Sequence, residues 1–170
     1  MKFNKFKIVA LLLLAAISFS ACSYSFTGAS VPPHLQTIAI PIVQDRTGFG
    51  EAELSDLFTT GLQTKFLQDN TLQIADRDVA DALLECTITS INDQPAIISG
   101  NEQIDARKIT VTAKVVYRDL VMKKVMFDKS FSNFGEYTSS GDIIAERRTA
   151  IETAIDQITE DILIGVVSNW

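Results

Sequence analysis

The sequence predicts an α+β fold: a two-layer sandwich, with two helices packed on one face of a mixed, mostly antiparallel sheet of about four strands. Three observations carry that expectation. Residues 108–118 alternate apolar and polar side chains with a period of two, the mark of a half-buried strand. Residues 51–69 and 142–168 each repeat apolar side chains at helical spacing along one stripe. The order of segments is strand, helix, three or four strands, helix, so both stripes can be buried on one apolar sheet face.

The chain opens with Lys2, Lys5 and Lys7, then 10 apolar residues from Ile8 to Ile17, then Phe19-Ser20-Ala21-Cys22. A basic start, a short apolar core and small residues at a cut point make a secretory signal, residues 1–21. The apolar run is too short to span a bilayer, which needs about 20 residues. Ser20-Ala21-Cys22 resembles the lipobox of bacterial lipoproteins, with Phe19 where Leu is usual. In that family the cysteine thiol receives a diacylglycerol, the chain is cut before it, and the new N-terminus is acylated. Cys22 is therefore the candidate lipidation site; those covalent chains are the expected attached groups, with no dissociable cofactor and no metal. Each buried methylene contributes about 0.8 kcal/mol, so two or more chains hold a protein on a membrane. The alternative is an ordinary signal followed by a structural cysteine. Ser23, in place of the Asp of inner-membrane retention, points to the outer membrane. No acidic or Lys-Asp run follows, which points to its periplasmic face.

Cleavage leaves 149 residues, one ordinary domain, with 12 bases and 21 acids and so a net charge of −9. An acidic whole argues against a nucleic-acid partner. The charge is uneven: residues 107–129 carry a local +5. Once Cys22 is lipidated, Cys86 has no disulfide partner, and the fold must hold by packing alone.

Residues 22–36 read as the lipidated N-terminus and a tether partly ordered against the domain, and 37–170 as the domain itself. His34 sits beside Pro32-Pro33 and reads as a solvated loop residue, because no second histidine completes a metal site. Residues 37–43 read as the first strand, with Pro41 near an edge or bulge. A polar turn, 44–50, lacks the Gly-Lys-Ser/Thr ending of a phosphate loop. The first helix follows from Glu51 to about Asp69, its stripe formed by Leu54, Leu57, Phe58, Gly61, Leu62 and Phe66. Leu72-Gln73-Ile74 is a short extended piece. Residues 82–92 alternate Leu84, Cys86 and Ile88 with polar side chains, and Cys86 reads as a small core residue rather than a nucleophile. Asp93–Gln103, with Pro95 and Gly100, reads as a loop or an irregular hairpin link. The strand over 108–118 buries Ile109, Val111, Ala113, Val115 and Tyr117. A last strand runs roughly from Lys124 to Phe134, with Val125, Phe127 and Phe131 on one face and Lys129 breaking the pattern by a bulge or a snorkelling stem. Asp142 caps the second helix, whose stripe is Ile144, Ile151, Ala154, Ile155, Ile158, Ile162 and Val166.

The mature chain resembles the lipopolysaccharide-assembly lipoproteins of the LptE type, in the divergent form of Bacteroidetes-like bacteria. The residues that carry the likeness are Cys22-Ser23-Tyr24-Ser25-Phe26-Thr27-Gly28, then Thr37-Ile38-Ala39-Ile40-Pro41 with Asp45-Arg46-Thr47. Residues 82–90 and Phe131-Ser132-Asn133-Phe134-Gly135-Glu136-Tyr137 complete it. Cys86 stands where that family usually has Gly. The resemblance implies a non-enzymatic lipoprotein that plugs the outer-membrane barrel LptD, helps it assemble and helps lipopolysaccharide reach the outer leaflet. The wet strand face is where a glycolipid contact is expected: Lys108, Lys114 and Arg118 lie on it, extended by Lys123 and Lys124, and lipid A phosphates suit such donors. The bland alternative is solvated charge that protects the sheet. A rival reading is another envelope lipoprotein, a scaffold or secretion-pore component with the small α+β domain of TolB-type or curli-secretion proteins. A periplasmic hydrolase is disfavoured, because one His, one spare Cys and scattered carboxylates make no catalytic cluster.

Overall fold

The structure is a computed structural model that describes residues 31–49, 53–96, 106–138 and 142–168. The signal segment, Cys22 and most of the tether lie outside the described residues. The elements in order are β1 (Thr37–Ala39), β2 (Gln44–Asp45), α1 (Leu54–Asp69), β3 (Gln73–Ile74), β4 (Ala82–Pro95), β5 (Ala106–Asp119), β6 (Lys124–Thr138) and α2 (Ile143–Ser168).

The sheet has six strands, not about four, in the order β3-β1-β4-β5-β6 with β2 also beside β4. Long β4, β5 and β6 pair antiparallel, whereas β1, β2 and β3 add in parallel at one side. The added strands are two or three residues long, too short to print a period, which is why the sequence shows about four. The expected first strand is broken. Pro41 carries no N–H, and the ladder to β4 lapses between Ala39 and Gln44. Helix α1 takes up backbone groups of that break: Val43 N–H donates to Thr59 Oγ1 at 2.9 Å, and Gln63 Nε2 donates to Ile40 O at 3.3 Å. Thr59 and Gln63 are four residues apart, hence on one face of the helix.

Both helices cover the same sheet face. Leu54, Phe58, Leu62 and Phe66 of α1 and Ile151, Ala154, Ile155, Ile158, Ile162 and Val166 of α2 are buried. They meet Leu84, Cys86, Ile88, Ile109, Val111, Ala113, Val115 and Tyr117 of the sheet in one core. Each large side chain contributes roughly 1.5–3 kcal/mol by leaving water. Ile144 is the exception to the expected stripe, 82% exposed at the start of α2. That helix is capped as expected, Ala145 N–H donating to Asp142 Oδ1 at 3.2 Å. Gly61 of α1 faces α2, where a Cβ would find the Thr159 methyl at 3.7 Å, an ordinary contact.

Two further expectations change. Strand β4 continues through Pro95, which pairs Arg107, so Asp93–Pro95 belong to the hairpin's strand and not to its link; a proline at a strand's last residue interrupts no ladder. Strand β6 continues past Phe134 to Thr138. Its extension lies under α2, where Gly135 permits an approach that its weak strand propensity conceals. A bulge between Tyr117 and Arg118 turns Val125 to the open face, away from Phe127 and Phe131. Lys129 stays in register with Val115 on the helix side, its Nζ 5.3 Å from the Phe127 ring centre.

The last residues of the tether are built into the domain. Leu35 is buried in the core, and His34 Nε2 lies 2.6 Å from Asp119 Oδ2. This overturns the solvated reading of His34. Asp81 Oδ2 accepts from Gln36 N–H, Thr37 N–H and the Thr37 hydroxyl. The segment therefore lies against the end of the sheet where β4 begins and β5 ends.

Candidate functional site

The sheet face away from the helices is the surface that packing leaves available. Along β5 it carries Lys108, Thr110, Thr112, Lys114, Val116 and Arg118, the alternate set to the buried one. The strand rise is about 3.3 Å per residue, so Lys108 and Lys114 stand about 20 Å apart and Arg118 about 13 Å beyond. They form a stripe, not a cluster. The bases of 107–129 also divide: Arg107 and Lys129 are in register with helix-side residues. Lys124 pairs Asp119 at the end of the sheet, and Lys123 lies in the turn before it, with φ at 54°.

Much of the stripe is matched by neighbours. Lys114 Nζ is 3.2 Å from Asp128, and Arg118 Nε is 3.2 Å from Glu85. Arg77 also reaches Glu85, at 3.7 Å. Lys108 Nζ stands 4.2 Å over the Phe134 ring. These are part-exposed pairs worth about 0–1 kcal/mol each. Lys123 and Lys124 have no ion pair among the described residues.

A depression of about 390 Å³ opens on this face between β2 and β5, lined by Pro41, Arg46, Arg77, Glu85, Lys114 and Val116 among others. Three cations there face one carboxylate. Arg46 and Arg77 were not legible as site residues. Arg46 comes to the depression because β2 pairs β4 in parallel, Gln44 opposite Thr87 and Thr87 opposite Lys114, and Arg77 comes from the link between β3 and β4. The sole hint was the Asp45-Arg46-Thr47 run. Part of the open face near the tether is closed instead by a small apolar cluster, Ala39, Ala80 and Leu83 with Ala75 and Leu120.

The remaining reactive groups are built into the fold. Cys86 is buried in the core, and burial pushes its thiol up to about 12, so it stays protonated at neutral pH. At the opposite end of the sheet Asp93, Arg107 and Tyr137 bond one another on the helix side, with Tyr137 OH 2.6 Å from Asp93 Oδ2. The Tyr137 and Asp93 bonds raise the Arg107 guanidinium above its ordinary value. Among the described residues no three metal-ligating side chains gather, and no helix is long and apolar enough to cross a membrane.

A family model described as LptE, lipopolysaccharide-assembly, matches residues 35–164. No curated protein matches the sequence. Solved structures share the fold at low identity. A hypothetical protein from Chlamydia trachomatis superposes with a TM-score of 0.58 at 10% identity, over 78% of this chain and 95% of that one. Rare lipoprotein B from Shewanella oneidensis gives 0.50 at 11% identity, over 76% and 92%. The PelC dodecamer from Paraburkholderia phytofirmans gives 0.51 at 11% identity, over 83% and 95%. At such identities these structures speak for the fold alone.

Proposed function

The chain belongs to the LptE family of lipopolysaccharide-assembly proteins, and from that premise we propose that it is the lipid-anchored plug of the outer-membrane barrel LptD. In this reading Cys22 carries the diacylglycerol and N-acyl chains and holds the domain on the periplasmic face of the outer membrane. The domain enters the barrel, supports its assembly and lies along the route of lipopolysaccharide, without doing chemistry on it. The observation that carries this is the family match across nearly the whole domain, residues 35–164. The uncovered sheet face is in keeping with a docking role.

Lys108, Lys114 and Arg118, with Lys123 and Lys124 at the hairpin end, are the proposed lipopolysaccharide contacts. Arg46 and Arg77 join them through the depression beside Lys114. Anionic phosphates would displace the weak pairs to Asp128 and Glu85.

Mild detergent extraction followed by capture of the native protein should bring down LptD as the main companion. Charge reversal at Lys108, Lys114 and Arg118 together should weaken lipopolysaccharide binding while leaving circular dichroism unchanged. Capture of a ring of this chain with no barrel would favour the secretion-scaffold reading, for which the solved relative recorded as a dodecamer gives the precedent.

A further inference from the structure

Among the described residues, the β5–β6 turn is the one place where exposed apolar side chains and lysines without an ion pair run together in sequence. Val121 is 57% exposed, Met122 65% and Val125 47%, with Lys123 and Lys124 between them. Exposed apolar residues elsewhere, such as Ile42 and Leu67, have no such company. An apolar tip beside lysines matches the interfacial zone of a bilayer, where methylenes enter the acyl boundary and ammonium groups meet phosphate.

The placement of this tip is what gives it an occupant. His34 bonds Asp119 at the base of the turn, and Gln36 and Thr37 bond Asp81, whose carbonyl accepts from Leu120 N–H at 2.8 Å. The chain arriving from Cys22 therefore joins the domain beside this hairpin. From Cys22 to Val31 there are nine residue steps, a reach of about 30 Å when extended. Whatever surface holds Cys22 is within reach of the tip. The hairpin is also stiffly mounted: Met122 N–H donates to Asp119 Oδ1 at 2.7 Å, and Asp119 is 1% exposed. The neighbouring turn adds exposed Val79, but its Asp76-Arg77-Asp78 run is net negative and does not extend the lysine surface of the hairpin.

We propose that Val121–Val125 is a membrane-contacting tip that docks on anionic phospholipid of the leaflet carrying the anchor. It would set which end of the domain meets that leaflet, the end where β5 finishes, with Ile144 at the opposite end of the sheet. The proposal rests on the reading of Cys22 as the anchor, and the two fail separately in the following experiment.

The lipidated mature chain, with Trp170→Phe and Met122→Trp, is reconstituted in vesicles of three parts phosphatidylethanolamine to one part phosphatidylglycerol, with or without lipids brominated in the upper acyl chain. The introduced indole should be quenched by the brominated lipid, and one introduced by Ile144→Trp should not. Mass analysis of Cys22 reads the anchor independently. In the Cys22→Ala chain, flotation with the same vesicles should be weak and salt-sensitive. It should fall about fivefold for each of Lys123→Gln and Lys124→Gln. Val121→Ser/Met122→Ser should lower it too, with circular dichroism unchanged because these side chains are exposed. An unmodified Cys22 together with quenching at position 122 would remove the anchor and keep the tip. A lipidated Cys22 with equal or absent quenching at 122 and 144 would overturn the tip. So would shielding of position 122 that appears only when LptD is added, since the tip would then belong to a protein contact.

Discussion

Gly135→Ala should destabilise this domain far more than a single added methyl ordinarily does. A Cβ built on Gly135 would lie 2.1 Å from Ala150 O and 2.7 Å from the Ala150 Cα and carbonyl carbon. Restoring an ordinary contact of about 3.4 Å requires about 1.3 Å of separation. The obstructing atoms are main chain in the first third of a 26-residue helix, so no rotamer change relieves them. Helix α2 must lift from β6, and a gap of 0.5–1 Å already forfeits about a quarter to a half of each dispersion contact it opens. Ile151, Ala154 and Ile155 lie next along that helix and are buried. Overpacking usually costs about 1–3 kcal/mol, and a clash with backbone belongs at or above the upper end. Replacing a strand glycine returns about 0.5–1 kcal/mol of chain entropy. A net loss of about 2–3 kcal/mol follows, which for a domain of this size lowers Tm by about 4–12 °C. Urea unfolding followed by circular dichroism reads the loss as a lower midpoint at constant slope. Gly61→Ala is the contrast. Its Cβ would find the Thr159 methyl at 3.7 Å, an ordinary contact, so the helix should gain about 0.5–1 kcal/mol. Because the clash at Gly135 is with backbone, adding Ala150→Gly should not rescue it. A Gly135→Ala protein within about 0.5 kcal/mol of the parent, or a rescue by Ala150→Gly, would refute this reasoning.

Other expectations concern buried polar groups. Thr59→Val leaves Val43 N–H without its partner and should cost about 1–3 kcal/mol, while Thr59→Ser keeps the hydroxyl and should cost less; equal midpoints for the two variants would contradict this. Bonds from Gln36 N–H and the Thr37 hydroxyl hold the Asp81 carboxyl below its ordinary range. Burial pushes Asp119 up, but bonds from Met122 N–H and His34 outweigh it, so its pKa is lowered too. Both groups bind protons more weakly folded than unfolded, so their stabilisation is present above about pH 4 and is lost as pH falls through the folded values. Asp81→Asn should flatten the acid limb of a stability-against-pH curve, and an unchanged limb would count against the assignment. Cys86 should resist thiol reagents at pH 8 in the native state and react in urea; rapid native labelling would mean that the core opens there.

What the sequence alone determined is what burial imprints locally. The two-residue period of 108–118 named its buried set side chain by side chain, and all five expected core residues of β5 are buried. The helices were legible because each buries one stripe of a long element, and a stripe repeated over four or more turns outweighs single exceptions such as Ile144.

Tertiary structure decided what depends on partners distant along the chain. β1, β2 and β3 exist because neighbouring strands are there to pair them, and two or three residues hold no period of their own. Bulges at Ile88/Ser90 and Tyr117/Arg118 shift the ladders, so the face of Val125 could not be counted from its neighbours. His34 became a buried-carboxylate partner because the chain's start meets Asp119, 85 residues away. The basic run of 107–129 looked continuous in one dimension, yet β-strand alternation and the hairpin turn split it between two faces and one tip. Charge adds along a sequence, whereas electrostatic potential depends on separation in space, and only the fold sets those separations.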